Sequence, residues 1–253
     1  ATLIKELNSL RKILKFGVQE GVLKERDLPS LRPPRGEVGR RPDFEDHEID
    51  ELLAYLEERC FEPNILGNDK DLRIQLWAFA VIAISTGMRP SEVVTLNWNN
   101  ITGYLNGKDV PLRKVEKLSP DEYELRFTIH DSKRNRRRRI VPLRSMTPTI
   151  LKLWTTNFKQ EGPKPVFIDD FGNQIKGYGQ AIRRTLDKLC IRYSSTGQGR
   201  TQYSFRHYYI TRMIRAGKSP AFVAHNVGTS IEMIERFYLH GDVEHYAEQL
   251  GEF

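Results

Sequence analysis

Two segments of alternating polarity in the middle of the chain, with helical patterns on either side, limit the fold more than any other feature. Apolar and polar residues alternate over residues 124–129 and again over residues 138–143, and a polar, basic stretch joins the two segments. Such alternation is typical of strands with one buried face, and the connection between them indicates an antiparallel hairpin. The rest of the main domain has helical periodicity, so we predict a mainly α fold with a small antiparallel sheet (α+β).

The helices are predicted from apolar residues that recur three or four positions apart. Asp46 is a suitable N-terminal cap for a helix over residues 47–59, whose inward face carries Ile49, Leu52 and Leu56. The remaining helices of the main domain are predicted over residues 72–85, 148–160, 177–192, 202–215, 219–226 and 230–238.

A stretch rich in proline, glycine and arginine, residues 29–42, has the composition of a linker. Before it, leucines between Leu3 and Leu14 form one narrow apolar stripe on a helix that is predicted to end at Gly21. A stripe this narrow needs a partner, and nothing upstream in the sequence supplies one. We therefore predict a fragment of a separate helical domain (1–28), a basic linker (29–42), the main domain (43–240) and a C-terminal tail (241–253).

The charge balance favours a polyanionic partner. Lysine and arginine number 40 and aspartate and glutamate 33, which leaves a formal net charge of +7. Proteins of this charge are biased towards DNA, RNA or anionic membranes. The longest apolar run, residues 76–84, is too short to span a bilayer, and no signal peptide opens the sequence. We expect an intracellular, cytoplasmic protein with no membrane partner.

The two cysteines argue against a metal site and against a disulfide framework. Cys60 and Cys190 have neither a CxxC partner nor a nearby histidine pair, which a zinc site would require. Two reduced thiols are the ordinary state of a cytosolic protein. We expect no metal.

The first candidate site residues follow the apolar helix. Gly87 is suited to end that helix and Pro90 to start another, which leaves Arg89 in a tight connection. Glu92 lies one helical turn further on, where its carboxylate can orient the arginine. The same arrangement also fits a simple salt bridge that caps the helix.

The second candidate is the tip of the predicted hairpin, where six of the seven residues from Lys133 to Arg139 are basic. Such density is self-repelling unless an anion lies against it, and a phosphate backbone is the natural partner. A solvated charged loop is the alternative. The residues predicted to bind DNA are Arg134, Arg136, Arg137 and Arg138, together with Arg40 and Arg41 of the linker.

Two further candidate regions lie near the end of the chain. Arg206 and His207 are adjacent near the start of a predicted helix, so they point to different sides, and one can face a site while the other packs. Downstream, a turn around Thr229 is followed by a short helix that ends at Tyr238.

Taken together, the order and spacing of these four features resemble the tyrosine recombinase (phage integrase) family. The family's first box, T-G-x-R-x-S-E, corresponds to residues 86–92, and its hairpin lysine with a following V-P-L corresponds to residues 133–143. Its second box, H-x-x-R-H, corresponds to residues 203–207. Its third, L-G-H-S-S, corresponds to residues 227–230, and its nucleophile, nine residues after the histidine, to Tyr238.

The resemblance covers essentially all of residues 40–245 and implies the fold of a recombinase catalytic domain and a set of roles. Arg89 and Arg206 would grip the non-bridging oxygens of a DNA phosphate, and Tyr238 would attack it to form a 3′-phosphotyrosyl ester, with no metal or ATP as cofactor. A hairpin residue would protonate the leaving 5′-oxygen. By position that residue is either Lys133 or Arg134, and we favour Lys133 because an arginine hardly gives up its proton. Glu92 and His207 would take supporting positions.

Two positions depart from the family pattern. Tyr203 occupies the place of a histidine from which proton transfer is expected, and a phenol with a pKa near ~10 is a poor base at neutral pH. Thr229 occupies the place of a histidine or tryptophan and gives less packing behind the nucleophile. Both positions remain assigned to the catalytic set.

The resemblance further implies double-stranded DNA carrying recombination sites as the partner, and a homotetramer on that DNA. The tail contains Tyr246 and Leu250, whose short apolar face fits either a neighbouring subunit or the chain's own domain. Two other functions remain open: a topoisomerase related to type IB, and a DNA-binding accessory protein with weakened catalysis.

Overall fold

One helix, α1 (Thr2–Gln19), provides most of the regular structure in the N-terminal part of the chain. The computed structural model describes residues 2–32, 42–62, 68–131, 136–156, 161–169 and 171–238, and the chain divides into two units, Ala1–Arg40 and Arg41–Phe253. A turn of 3₁₀ helix (Glu25–Asp27) follows α1 in the first unit. Of the predicted apolar stripe of α1, Leu3 and Leu10 are exposed, whereas Leu7 and Leu14 are partly buried.

Helices build most of the second unit. In its described part they are α2 (Asp46–Cys60), α3 (Asn68–Thr86), α4 (Pro90–Val94), α5 (Leu112–Val115), α6 (Thr147–Thr156), α7 (Gly179–Lys188), α8 (Ser204–Arg215), α9 (Pro220–Val227) and α10 (Ile231–Tyr238). The helices predicted in the main domain are confirmed, with ends shifted by up to four residues. The predicted end of the helix over residues 148–160 is the exception, since residues 157–160 lie outside the described part of the chain. Helices α4 and α5 are too short to show an apolar period.

The centre of the core is α3. Every residue of this helix from Trp77 to Thr86 is buried, because a helix that is apolar on all sides is stable only inside a domain. Helices α2, α6 and α8 pack around it. The end of α3 therefore holds the residues that follow it at a fixed place beside α8.

The sheet has four antiparallel strands in the order β2-β1-β3-β4. The predicted hairpin is confirmed as β3 (Glu124–Asp131) and β4 (Arg136–Ile140), with Phe127 opposite Ile140. Strands β1 (Ile101–Leu105) and β2 (Lys108–Val110) were not predicted. Their turn is Asn106-Gly107, in which both residues have positive φ, the signature of a tight hairpin.

Two details of the sequence prediction are wrong. Glu45, not Asp46, precedes the first turn of α2, and the Glu45 backbone N–H donates to the Glu48 carboxylate at 2.8 Å. The Asp46 carboxylate instead accepts a hydrogen bond from the Tyr208 hydroxyl at 2.7 Å, which ties α2 to α8. The second strand ends at Ile140, since Pro142 has no N–H to continue the ladder.

Several predicted features lie outside the described residues. They are Lys133 and Arg134 at the hairpin tip, Arg40 and Arg41 with most of the linker, the side chain of Arg136, and the tail from residue 239 onwards. Among the helices that the structure describes, none is both long and apolar enough to cross a membrane.

Candidate active site

Arg89 is held in the connection between α3 and α4, as its sequence context predicts. Gly87 ends α3 with φ +64°, and a Cβ there would lie 2.5 Å from a ring carbon of Tyr209, so this turn requires glycine. The Arg89 guanidinium donates to the Glu92 carboxylate at 2.9 Å and to the Gly228 carbonyl at 2.8 Å. Arg89 is therefore fixed on two sides before any substrate binds.

Glu92 is shared between two arginines. Its second carboxylate oxygen accepts a hydrogen bond from Arg138 at 2.9 Å, and the two side chains are 12% and 15% exposed. The Arg138 guanidinium lies directly over Gly228, where a Cβ would overlap it. Since strand residues alternate between faces, Arg138 points into the site, whereas Arg137 and Arg139 are exposed on the opposite face of the sheet.

The most deeply buried arginine of the site is Arg206, which is 4% exposed. Its guanidinium donates to the Gly87 carbonyl at 2.7 Å and to the Val227 carbonyl at 2.6 Å. Burial, and after it the neighbouring charge of Arg89, lower the pKa of Arg206 to about 10. Arg206 is therefore still a cation at neutral pH.

Tyr203 lies beside these cations. Its hydroxyl accepts a hydrogen bond from the Arg89 guanidinium, in addition to the contacts of that arginine with Glu92 and Gly228. Burial acts to lower the pKa of Arg89, but Glu92 and Tyr203 outweigh it and raise that pKa above its ordinary value. The Tyr203 phenol is thus placed with the arginines.

Tyr238 ends α10 and is 9% exposed. Its hydroxyl is hydrogen-bonded to Nδ1 of His207, and the two rings stack with centroids 5.7 Å apart and planes 25° apart. The other neighbour of the His207 ring is Tyr203, at a centroid distance of 5.7 Å. The sequence assigns His207 only a supporting position, and the structure places it in direct contact with the predicted nucleophile.

Thr229 stands in the turn between α9 and α10. Its backbone N–H donates to the Ala224 carbonyl at 3.0 Å and closes the end of α9 after Gly228, which has φ +68°. Thr229 is thus one residue away from the carbonyl that holds Arg89.

An open groove of about 640 Å³ leads away from Arg89 and Tyr203. It is also lined by three arginines that lie outside the four sequence features: Arg183, Arg192 and Arg200. The Arg200 guanidinium is tied to Glu48 at 2.7 Å and to the Asp43 carbonyl at 2.8 Å, so its role is structural. No local motif marks Arg183 and Arg192, since only the fold places them beside the first box.

The arrangement of charge suits a phosphate diester. Arg89, Arg138 and Arg206 surround a single carboxylate, Glu92, so the described centre carries excess positive charge. Fixed guanidinium groups of this kind bind anionic oxygens with paired N–H donors.

Similarity to known proteins extends over most of the chain. The profile of the phage integrase family covers residues 43–245. Tyrosine recombinase XerC of Haemophilus influenzae (strain PittEE) is 23% identical over 251 residues, which are 98% of this chain and 72% of that protein.

Solved structures have the same fold. The XerH site-specific recombinase bound to a palindromic difH substrate, in a post-cleavage complex, is similar with a TM-score of 0.61 at 14% identity. That match covers 91% of this chain, which spans only 58% of the XerH chain. The Tn1549 transposon integrase in complex with a circular intermediate DNA is similar with a TM-score of 0.61 at 14% identity, and the match covers 98% of this chain and 78% of that one.

Proposed function

The chain belongs to the phage integrase family, and on this premise we propose that it is a site-specific DNA recombinase whose nucleophile is Tyr238. The observation that carries the proposal is the convergence of three separate sequence boxes on one centre. Arg89 and Arg206 both donate to carbonyls of the turn that leads into α10, and α10 ends at Tyr238.

Charge stabilisation is the role we assign to Arg89 and Arg206. The phosphate becomes pentacoordinate during attack and gathers negative charge on its non-bridging oxygens. Each guanidinium is already fixed by carbonyl groups of the protein, so little reorganisation is needed when that charge develops. Losing either arginine should cost about 10²-fold or more in the cleavage rate.

The strand-transfer chemistry requires two transesterifications. In cleavage, the Tyr238 oxygen forms a bond to phosphorus while the bond from phosphorus to the 5′-oxygen breaks. The leaving 5′-oxygen takes a proton, and we assign Lys133 as the donor of that proton. In rejoining, a 5′-hydroxyl from another strand attacks the phosphotyrosine, its proton returns to Lys133, and the bond from phosphorus to the Tyr238 oxygen breaks. The ester conserves the energy of the broken bond, so the proposed reaction needs no ATP or metal cofactor.

Double-stranded DNA is the proposed partner. The XerH and Tn1549 proteins were solved with DNA, and the groove beside Arg89 offers Arg183 and Arg192 to a phosphate backbone. We extend this surface to the hairpin arginines 134, 136 and 137 and to the linker pair 40 and 41. Assembly as a homotetramer on DNA, through the tail of residues 241–253, is part of the same proposal.

A covalent adduct tests the function directly. The chain is incubated with a recombination site, selected by binding from a random-sequence pool and nicked near the cleavage point, and the products are separated under denaturing conditions. Wild-type protein should form an adduct on the 3′ side of the break and Tyr238→Phe should form none while binding the DNA equally. Tyr193→Phe, at an exposed tyrosine, is the matched control and should retain the adduct.

The outcomes separate the alternatives. A wild-type chain that binds the site but forms no adduct would be an accessory protein, and the enzymatic proposal would be wrong. If the adduct forms but the products are only relaxed circles, with no exchange between two sites of different flanks, the topoisomerase is the better assignment.

A further inference from the structure

Cleavage by Tyr238 requires a group that takes the proton from its hydroxyl. The position where the family resemblance expects a histidine for proton transfer is Tyr203. The hydroxyl of Tyr203 is hydrogen-bonded to the cation Arg89, and a phenol is a poor proton acceptor at neutral pH. The proton acceptor of this chain must therefore be found elsewhere.

His207 is placed for this task by the geometry of α8. Successive residues of a helix point about 100° apart, so while Arg206 enters the buried centre, His207 faces α10. There Nδ1 of His207 is hydrogen-bonded to the Tyr238 hydroxyl, and the stacked rings limit the motion of both side chains. His207 as a whole is half-buried, and Nε2 of its imidazole is shielded from solvent.

We propose that His207 is the proton acceptor for Tyr238, in place of the residue at position 203. The inference rests on the proposed function and names a further catalytic residue within it. Imidazole suits the role because its neutral form has one ring nitrogen that accepts a proton, and histidine is the side chain that most often acts as a general base.

The proton balance is complete in both directions. In cleavage, the O–H bond of Tyr238 breaks, its proton binds Nδ1 of His207, and the oxygen forms its bond to phosphorus. The resulting imidazolium is the acid for the reverse step, in which the phosphotyrosine bond breaks and the proton returns to the Tyr238 oxygen. Acceptance at Nδ1 requires the neutral tautomer with its proton on Nε2.

The decisive experiment makes the nucleophile more acidic. His207→Gln retains a hydrogen-bonding side chain but cannot carry the proton, so single-turnover cleavage of the nicked substrate should fall by about 10²- to 10⁴-fold. A difluorotyrosine introduced only at position 238 has a more acidic phenol and depends less on a base. It should recover at least tenfold of the loss in His207→Gln and change the wild-type rate little.

A positioning role gives a different result. If His207 only holds the Tyr238 ring, the fluorinated phenol recovers nothing in His207→Gln, and the proposal is overturned. Addition of free imidazole to His207→Ala is a second measurement, and it should raise the cleavage rate in proportion to the neutral imidazole present. DNA binding and circular dichroism of each variant show that the chain is folded.

Tyr203→Phe is the matched variant on the other side of the same ring. Its cleavage rate should also fall, through loss of the hydroxyl at Arg89, but the fluorinated nucleophile should not recover it. Recovery in Tyr203→Phe and not in His207→Gln would assign the base to Tyr203 instead. Because wild-type adduct formation is measured alongside, failure of the His207 proposal is distinguishable from failure of the proposed function.

Discussion

The substitution Gly228→Ala tests whether the ion pair between Arg138 and Glu92 holds Arg89 in place. The φ of Gly228, +68°, lies in the left-handed region, and a Cβ would overlap the guanidinium of Arg138. Arg138 in turn pairs with the carboxylate that holds Arg89. We expect Gly228→Ala to displace Arg138, break its ion pair with Glu92 and loosen Arg89.

The size of the effect follows from two contributions. Alanine in the left-handed region costs about 1 kcal/mol in the free energy of unfolding. Breaking a buried ion pair costs about 3–5 kcal/mol, but at 12% and 15% exposure water reaches the displaced groups, and we reduce this to about 2 kcal/mol. The total loss expected for Gly228→Ala is therefore about 3 kcal/mol.

Gly197→Ala separates the two contributions. Gly197 has φ +74°, and a Cβ there meets no atom within 4 Å, so this variant should lose only about 1 kcal/mol. Urea unfolding can be followed by tryptophan fluorescence, since Trp77, Trp98 and Trp154 are all buried in the second unit. Single-turnover cleavage should slow by about tenfold or more in Gly228→Ala, because 1.4 kcal/mol of lost transition-state stabilisation suffices, and stay near wild type in Gly197→Ala.

Equal losses of stability and equal cleavage rates in the two variants would contradict this prediction. Such a result would mean that Arg138 does not occupy the space over Gly228. A second check is the double variant Gly228→Ala with Arg138→Ala, in which the overlap is gone. It should be more stable than the sum of the two single losses predicts.

Two further predictions concern the groove and the cysteines. Arg192→Ala should weaken DNA binding at every sequence and reduce the slope of log affinity against log salt by about 0.9, the value for one phosphate contact. The control is Arg113→Ala, which lies outside the groove. If the slope of Arg192→Ala is unchanged and equal to that of the control, Arg192 does not belong to the interface. Burial raises the pKa of Cys60 to about 11, whereas Cys190 is exposed. Iodoacetamide at pH 8 should therefore label one thiol per native chain and two in urea. Rapid labelling of two thiols without urea would contradict the fold.

Periodicity predicts most of the fold because the core is built from long helices. The apolar run in α3 and the alternation in β3 and β4 each depend on neighbours in the sequence, and the structure confirms them. The β1–β2 hairpin was missed although its Asn106-Gly107 turn is a strong local signal. The sequence also allows the inward direction of Arg138 to be predicted. Ile140 belongs to the core, and residues two apart in a strand point to the same face.

The contact between His207 and Tyr238 could not be predicted in the same way. The two residues are 31 positions apart, and nothing in the local pattern of either says which face of α8 meets the end of α10. The position of Arg192 could not be predicted either, because this residue belongs to no motif and only the fold brings it beside Arg89. Tertiary contacts of this kind depend on packing angles between helices, which periodicity does not specify.

The turn at residues 227–229 links the charged centre to the proposed nucleophile, Tyr238. Val227 and Gly228 give their carbonyls to Arg206 and Arg89, and α10 begins three residues later at Ile231 and ends at Tyr238. Removing either arginine therefore takes away a proposed phosphate contact and also frees one side of the turn that sets where α10 starts. The two arginines then act as a unit with Tyr238, so the double variant Arg89→Ala with Arg206→Ala should lose less activity than the product of the two single losses. Fully multiplicative losses in single-turnover cleavage would mean that each arginine acts on the phosphate alone.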